Sequence, residues 1–222
     1  MYSNIWQESY HSAEVLYDSA GYTGKIFIGS IRATTDVDWL IQNDISVIIN
    51  ASDYDYVLND EKIKLIPVHS FKFADDDFPS KEMFNKIIDY VSEAAEIIDE
   101  NVTENKNVLV HCRAGMNRSA LIIGSYLIAK YNNYDKALNS LKCANQTRSI
   151  DVLFNPYYRR VLAELENVNK CETNSNSDEI RLSLWEIISN LKHSKDLVSN
   201  LSSEENHKFG YIETPFCWRI WN

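Results

Sequence analysis

The chain has few of the residues that mark disulfide-stapled or nucleic-acid-coating proteins. Its 222 residues include only 4 cysteines, 4 prolines and 6 glycines. The cysteines are too widely and irregularly spaced for a zinc site or a disulfide framework; they are Cys112, Cys143, Cys171 and Cys217. Basic side chains are also scarce, since 22 Lys and Arg stand against 32 Asp and Glu and give a net charge of -10. This balance argues against nucleic acid or an anionic membrane as the main partner.

Long hydrophobic runs are absent as well. No uninterrupted stretch approaches the ~20 apolar residues that a membrane span needs. The first residues, from Met1 on, lack the basic and apolar regions of a signal peptide. We therefore expect a soluble, intracellular protein of the cytoplasm, with the nucleus as an alternative. The apolar fraction of 45% predicts an ordered globular core.

The stretch from Val108 to Ser119 carries the strongest signal in the sequence. The β-favouring residues from Asn107 to Val110 predict a short buried strand, and the apolar run from Ala120 to Lys130 predicts a core helix. A strand that turns sharply into a helix aims backbone N–H groups and the positive helix end at one point. The sequence therefore predicts a seat for an anion between the two elements.

Two chemically matched side chains flank this seat. Cys112 and Arg118 are separated by five residues, and Gly115 lets the backbone bend between them. A cysteine at a helix N-terminus beside a guanidinium can have its pKa lowered from ~8.5 to about 3.5–7.5, so that thiolate is abundant at neutral pH. The arginine fork can hold two phosphoryl oxygens at once. We therefore expect a nucleophilic thiolate under a bound phosphoryl group.

The motif His111-Cys112-x5-Arg118-Ser119 resembles the signature of the cysteine-dependent protein tyrosine phosphatases, and its wording Ala-Gly-x-x-Arg-Ser is most similar to the dual-specificity phosphatases. The resemblance implies an α/β fold with a central, mostly parallel sheet flanked by helices. It implies a phosphoprotein substrate, a cysteinyl-phosphate intermediate, and neither a cofactor nor a metal. The alternative of a buried structural cysteine leaves the glycine, arginine and serine at these offsets unexplained.

The same resemblance assigns roles around residues 112–118, here called the phosphate loop. Cys112 is the nucleophile, Arg118 stabilises the transferring phosphoryl group, and Ser119 assists the departing sulfur. The loop's N–H groups bind the substrate; they belong to the residues Arg113, Ala114, Gly115, Met116 and Asn117. His111 is expected to orient the loop by hydrogen bonding. Arg148 and Asn155 match an arginine and an asparagine that brace the loop from below.

A phosphoester also needs an acid to protonate its leaving oxygen. In the family an aspartate some thirty positions before the nucleophile does this. Asp75, Asp76 and Asp77 lie 37, 36 and 35 positions ahead of Cys112. We expect Asp75, and after it Asp76, to be the acid, because the residue nearest the preceding strand is best held over the pocket. The alternative for the triplet is a solvated acidic turn that favours the following helix N-terminus.

Apolar periodicity predicts the remaining elements. Strands are expected at Lys25–Ser30, at Ser46–Asn50 and within Ile63–Phe73, and helices at Asp36–Asn43, Ser80–Glu100, Tyr134–Asn145 and from Asn155 onward. Thr34 or Thr35 is the expected cap of the first helix, and Asn155 with Pro156 starts the last.

Composition divides the chain into a lead-in (1–23), a catalytic domain (24–168) and a C-terminal extension (169–222). The extension begins with linker composition and continues with helical periodicity and an aromatic end. We expect it to pack on the catalytic domain. The alternative is a partner-binding element, with a homodimer as one outcome.

Three other functions stay open at this point. A lipid phosphatase of the superfamily carries Lys and Arg within the loop, and here only Arg113 remains. An RNA 5'-phosphatase typically has Thr-His-Gly-x-Asn-Arg-Thr there, and only Asn117 agrees. A catalytically dead phosphate-binding module is disfavoured by the intact Cys112 and Arg118.

A thiolate nucleophile also favours a reducing compartment, because an oxidising one would threaten the thiolate.

Overall fold

The structure, a computed structural model, describes residues 11–17, 21–77, 79–131 and 133–173. The strands are β1 (Ser12–Val15), β2 (Ile26–Ser30), β3 (Ile45–Asn50), β4 (Val68–Ser70) and β5 (Asn107–Cys112). The helices are α1 (Val37–Gln42), α2 (Lys81–Thr103), α3 (Arg118–Tyr131), α4 (Tyr134–Gln146) and α5 (Pro156–Thr173), with a 3-10 helix at Ile31–Thr35.

The five strands form one sheet in the order β1-β2-β5-β3-β4. Strand β1 pairs antiparallel with β2, and the other three pairings are parallel. The prediction of a mostly parallel sheet flanked by helices is confirmed. The central position of β5 explains its apolar sequence, because both of its faces are covered. It also places the carboxyl end of β5, at Cys112, between those of β2 and β3.

Helices cover the two faces of the sheet unequally. The larger apolar cluster includes residues of α2, α3, α4 and α5, whereas the smaller one joins α1 and the loops around Leu58 and Ile63 to the opposite face. Helix α3 is buried along most of its length, from Arg118 to Ile128. A helix surrounded in this way holds its N-terminus in a fixed place. That N-terminus adjoins Cys112.

Helix α2 follows the predicted pattern and extends further. Ser80 caps it, because its hydroxyl accepts a hydrogen bond from the Met83 N–H at 3.2 Å. Its predicted end was Glu100, and the helix continues to Thr103. The polar residues of its last turn do not stop it, because Val102 is still fully buried against the core.

One local prediction was wrong, and two elements were predicted only in outline. The cap of α1 is Asp36, whose carboxylate accepts from the Trp39 N–H at 3.0 Å, while Thr34 and Thr35 lie in the 3-10 helix. The strand region expected within Ile63–Phe73, with a break at Pro67, is β4, whose three residues begin directly after this proline. The lead-in contains strand β1, which the sequence analysis did not predict.

The C-terminal prediction falls largely outside the described part of the chain. Helix α5 begins at Pro156, as predicted, and runs to Thr173, past the expected domain end at 168. The predicted helix and aromatic cluster of the extension lie beyond residue 173, outside the described residues. Among the helices of the described ranges, none is both long and apolar enough to cross a membrane.

Candidate active site

The phosphate loop connects the end of β5 to the start of α3. Cys112 is the last residue of the strand, and Arg118 is the first residue of the helix. The loop also touches the neighbouring element, because the Ile31 N–H donates to the Arg113 carbonyl at 3.3 Å. The strand, the helix and the 3-10 helix therefore fix both ends of the loop.

The sulfur of Cys112 lies inside the curve of the loop. It accepts hydrogen bonds from the Gly115 N–H at 3.2 Å and from the Ser119 hydroxyl at 3.4 Å. Burial by itself raises the pKa of the thiol, but the Ser119 hydroxyl, the N–H groups of Ser119 and Met116 and the Arg118 charge together lower this pKa below its ordinary value. Only 2% of the residue's surface is exposed. The surroundings of Cys112 therefore favour its thiolate form.

Arg148 explains why the loop's N–H groups face the sulfur. Its guanidinium is fully buried and donates to the Ala114 carbonyl at 3.0 Å and to the Gly115 carbonyl at 2.9 Å. In a planar peptide the carbonyl and the next N–H point in opposite directions. Holding these carbonyls on the arginine side therefore turns the N–H groups of Gly115 and Met116 toward the sulfur. Asn145 supports the arrangement, since it accepts from Arg148 at 2.9 Å and donates to the Gly115 carbonyl at 3.3 Å.

Gly115 meets a backbone requirement at this point. Its φ is +72°, which is the left-handed region that side chains disfavour. A Cβ there would lie 2.5 Å from Arg148 Nη2 and 2.5 Å from the Gly29 carbonyl oxygen. The glycine is thus needed both for the turn and for the close approach of Arg148.

Arg118 is buried, with 6% of its side chain exposed. Its Nη1 donates to Asp53 Oδ1 at 3.1 Å and to the Phe73 carbonyl at 3.1 Å. Its Nε has no hydrogen-bond partner among the described residues. An unpaired buried donor on a guanidinium is costly, so this edge is suited to bind an anion.

Asp75 is held next to the phosphate loop by two amides. Its carboxylate accepts from Asn117 Nδ2 at 3.0 Å and from Asn155 Nδ2 at 3.1 Å. Asn155 also donates to the Asp76 backbone carbonyl at 3.0 Å. Desolvation, with the charges of Asp75 and Asp76, raises the pKa of Asp77 above its ordinary value. The geometry thus brings the carboxylate of Asp75 to the loop.

His111, for which an orienting role is predicted, is fully buried at the end of β5. Its Nε2 shares a 2.6 Å hydrogen bond with the Tyr56 hydroxyl, and its Nδ1 lies 3.4 Å from the Cys112 carbonyl oxygen. Burial lowers the pKa of His111 to about 4. The imidazole is therefore neutral at physiological pH, where it can orient the backbone but carries no charge.

Asn155 performs a different task from the one expected. Rather than bracing the phosphate loop from below, its side chain donates to the segment that carries Asp75, while its backbone N–H donates to Asn117 Oδ1 at 3.3 Å. Its own Oδ1 accepts from the Tyr158 N–H at 3.1 Å and so caps α5. The expected bracing contacts are made by Arg148.

Sequence reasoning missed Asp53, Tyr54 and Tyr56, which follow β3. Asp53 pairs with Arg118, Tyr56 with His111, and the Arg113 guanidinium lies 5.8 Å from the centroid of the Tyr54 ring. No local pattern could have identified them, because their partners lie 55 to 65 positions away in the sequence. Over the residues that the structure describes, there is no group of three or more His, Cys, Asp or Glu that could hold a metal ion.

Comparison with known families agrees with this geometry. The profile of the dual specificity phosphatase catalytic domain matches residues 26–168, more than half of the chain. An Amsacta moorei entomopoxvirus protein named "Putative tyrosine-protein phosphatase AMV078" is 34% identical over 117 residues, which cover 50% of this chain and 67% of the relative. Dual specificity protein phosphatase 9 of Homo sapiens is 28% identical over 109 residues, which cover 47% of this chain and 26% of the relative. The chain thus spans about a quarter of the human protein.

Solved structures share the fold at lower identity. The crystal structure of human DUSP28 superposes with a TM-score of 0.56 at 18% identity, covering 71% of this chain and 95% of that one. The Yvh1 phosphatase domain from Chaetomium thermophilum gives a TM-score of 0.56 at 18% identity, covering 75% of this chain and 99% of that one.

Proposed function

The chain belongs to the dual specificity phosphatase family, and on that premise we propose that it hydrolyses phosphotyrosine and phosphoserine or phosphothreonine in proteins through a cysteinyl phosphate. One observation carries the proposal: the sulfur of Cys112 accepts hydrogen bonds from Gly115 and Ser119 inside a loop that ends at Arg118. These contacts stabilise a thiolate where a phosphoryl group can meet it.

In the first step the Cys112 thiolate attacks phosphorus and forms the S–P bond. The bond from phosphorus to the ester oxygen breaks, and a proton from the carboxyl group of Asp75 goes to that oxygen, so a neutral alcohol or phenol leaves. The position of Asp75 beside Asn117 supports its selection over the other two members of the triplet.

In the second step Asp75, now a carboxylate, takes a proton from a water that attacks the cysteinyl phosphate. The S–P bond breaks, inorganic phosphate leaves, and the thiolate returns to Cys112. The Ser119 hydroxyl lies 3.4 Å from the sulfur, and its hydrogen bond stabilises the charge that returns there.

The phosphoryl group gains most of its stabilisation from donors that are already in place. The N–H groups of Gly115 and Met116 are turned by Arg148, and Arg118 supplies a charged donor through its Nε, which is unpaired in the part of the chain that the structure describes. Preorganised donors of this kind need no rearrangement as charge builds on the equatorial oxygens.

Substrate breadth follows from the rim of the site. The connection between β2 and α1 consists of the 3-10 helix Ile31–Thr35, which contacts the phosphate loop directly, and Asp36. We propose that this short connection leaves the pocket shallow enough for the short phosphoserine and phosphothreonine side chains as well as for phosphotyrosine. Tyr54, whose ring lies near Arg113, offers an aromatic surface at the rim.

The test is hydrolysis of p-nitrophenyl phosphate and of peptides carrying each phosphorylated residue. Cys112→Ser should lower the turnover rate by at least about 10³-fold, and Asp75→Asn should lower it by about 10²- to 10⁴-fold. Cys143→Ser is the matched control, because Cys143 is exposed in α4 and should leave the rate unchanged. Full activity in Cys112→Ser would refute the mechanism.

The substrate class needs a separate experiment. Trapping with Cys112→Ser followed by identification of the bound molecules should recover phosphoproteins. Recovery of RNA or of phosphoinositides instead would favour one of the alternative substrates on the same core. No binding by Cys112→Ser, together with no turnover by the wild-type chain, would favour an inactive module.

Two finer proposals concern the protein's setting. We place the enzyme in a reducing compartment, the cytoplasm or nucleus, because a low-pKa thiolate is easily oxidised. Fractionation of cells that express the tagged chain tests this location. A homodimer formed by the extension would appear as a mass that falls to that of a monomer on deletion of residues 174–222.

A further inference from the structure

Asp53 is an acidic residue placed directly on the arginine that binds the phosphoryl group. Its Oδ1 lies 3.1 Å from Arg118 Nη1, which also donates to the Phe73 carbonyl at 3.1 Å. A guanidinium Nη carries two N–H bonds, so these two acceptors use both donors of Nη1. Two parallel bonds to phosphoryl oxygens must then come from the other side of the fork, formed by Nε and Nη2. Within the described ranges the buried Nε has no hydrogen-bond partner, which agrees with this division.

The position of Asp53 is fixed by the loop that carries it. Asn50, at the end of β3, accepts from both the N–H and the hydroxyl of Ser52, at 2.9 and 2.6 Å, and donates to the Tyr54 carbonyl at 2.9 Å. Asn50 and Ser52 are buried. The residue between these contacts therefore has a defined backbone, and its side chain meets Arg118 from a constant direction.

The pair is asymmetric in exposure, which limits what it contributes to stability. The side chain of Asp53 is 58% exposed and that of Arg118 is 6% exposed. Ion pairs with one solvated partner add little to folding free energy. Asp53 instead holds the guanidinium of Arg118 through Nη1, away from the Nε–Nη2 edge that is left for the phosphoryl group. The negative charge of Asp53 also opposes the binding of a phosphate dianion at that edge.

We propose that Asp53 is a positioning residue that presents the Nε–Nη2 edge of Arg118 to the phosphoryl group, and that its charge weakens the resting affinity for phosphate. The inference deepens the proposed function and rests on it. Binding that is stronger in the transition state than in the ground state raises the turnover rate. A residue that orients the arginine for the transition state and weakens the binding of the phosphate product should therefore raise the turnover rate.

The test separates the charge of Asp53 from its hydrogen bond. Asp53→Asn keeps an oxygen acceptor and removes the charge, so the dissociation constant for inorganic phosphate should fall about three- to tenfold while kcat stays within about threefold. Asp53→Ala removes both and frees one Nη1 donor, so kcat should fall about tenfold. Phosphate binding is measured by calorimetry at about 50 mM salt, and kcat and KM with p-nitrophenyl phosphate.

Asp55→Asn is the matched control. Asp55 lies two positions along the same loop and pairs with Lys72, and its substitution removes the same charge without touching Arg118. It should leave phosphate affinity and kcat within about twofold of wild type. Melting temperatures of all three variants should agree within a few degrees, because both aspartates are exposed. The gain in affinity of Asp53→Asn should shrink at about 500 mM salt.

Two results would overturn the inference. One is a phosphate affinity in Asp53→Asn that matches Asp55→Asn, which would show that the charge does not act through Arg118. The other is equal loss of kcat in Asp53→Asn and Asp53→Ala, which would show that the retained acceptor does not hold the arginine. A third result separates the two proposals. If the variants differ from the wild-type chain in phosphate affinity as expected but the wild-type chain hydrolyses no phosphoester, the proposed function fails and the role of Asp53 in phosphate binding stands.

Discussion

Replacing Arg148 with Met tests how the site makes its thiolate. The arginine holds the Ala114 and Gly115 carbonyls, and the peptide that begins at Ala114 ends in the Gly115 N–H that donates to the sulfur at 3.2 Å. Methionine fills similar space and releases both carbonyls. Asn145 still holds the Gly115 carbonyl, so the bond most affected is the one from Gly115 N–H to Cys112.

The magnitude follows from that single bond. A hydrogen bond to a charged group contributes about 1.5–3 kcal/mol, and this bond stabilises the thiolate, so the pKa of Cys112 should rise when the bond is lost. Two charged donors to the carbonyls are also lost, which should lower the free energy of unfolding by about 3–6 kcal/mol. The melting temperature should then fall by roughly 6–24 °C.

The assay is the pH dependence of alkylation by iodoacetamide, followed for each cysteine-containing peptide by mass spectrometry. Exposed Cys143 provides an internal reference in every sample. Arg32→Met, at an exposed position of the 3-10 helix, is the control for loss of a positive charge. A variant that melts at a lower temperature but keeps the wild-type pKa of Cys112 would refute the idea that the hydrogen bonds from Arg148 to the loop carbonyls orient the N–H groups.

Three further predictions follow from the same contacts. Ser119→Ala should raise the pKa of Cys112 and slow breakdown of the cysteinyl phosphate, which appears as a burst of product in rapid-mixing kinetics before slow turnover. Gly115→Ala should abolish activity and cost at least about 1–2 kcal/mol in urea unfolding, because the φ of +72° is strained for alanine and its Cβ would meet Arg148. Burial lowers the pKa of His111 to about 4, below the ordinary 6.5, so the unfolded chain binds the proton first as pH falls. The stabilising contribution of the neutral imidazole is complete above pH ~6.5 and should decrease by roughly 2–3 kcal/mol by pH ~4.5, a loss that His111→Gln should lack in urea titrations at both pH values.

The sequence was most informative where function and local structure coincide. The β-favouring residues before Cys112 and the apolar run after Ser119 predicted a strand and a helix, and the structure has β5 and α3 at those places. The apolar residues at helical spacing along α2 and the Asn155-Pro156 start of α5 were equally local signals. Such patterns succeed because the residues that specify the element are also the residues within it.

The contacts that support the site could not be predicted in the same way. Asp53 and Tyr56 contact residues of the phosphate loop and β5 because β3 and β5 are neighbours in the sheet. The sequence of neither strand predicts which strand it pairs with. Strand β1 is four residues long and pairs by its backbone with β2, so its mixed sequence gave no clear alternation. The amides of Asn117 and Asn155 that hold Asp75 come from other parts of the chain, so no local pattern indicates these contacts.

The side chain of Asn155 has a consequence for how this enzyme could change its working pH. It caps α5 with its oxygen and binds the carboxylate of Asp75 with its nitrogen. An aspartate at this position would preserve the cap, since either carboxylate oxygen accepts from an N–H. It would also set two carboxylates about 3 Å apart, and such a pair shares one proton and titrates in two widely separated steps. One amide nitrogen therefore separates the lone carboxylate beside the phosphate loop from a carboxylate pair that would stay protonated into more alkaline solution.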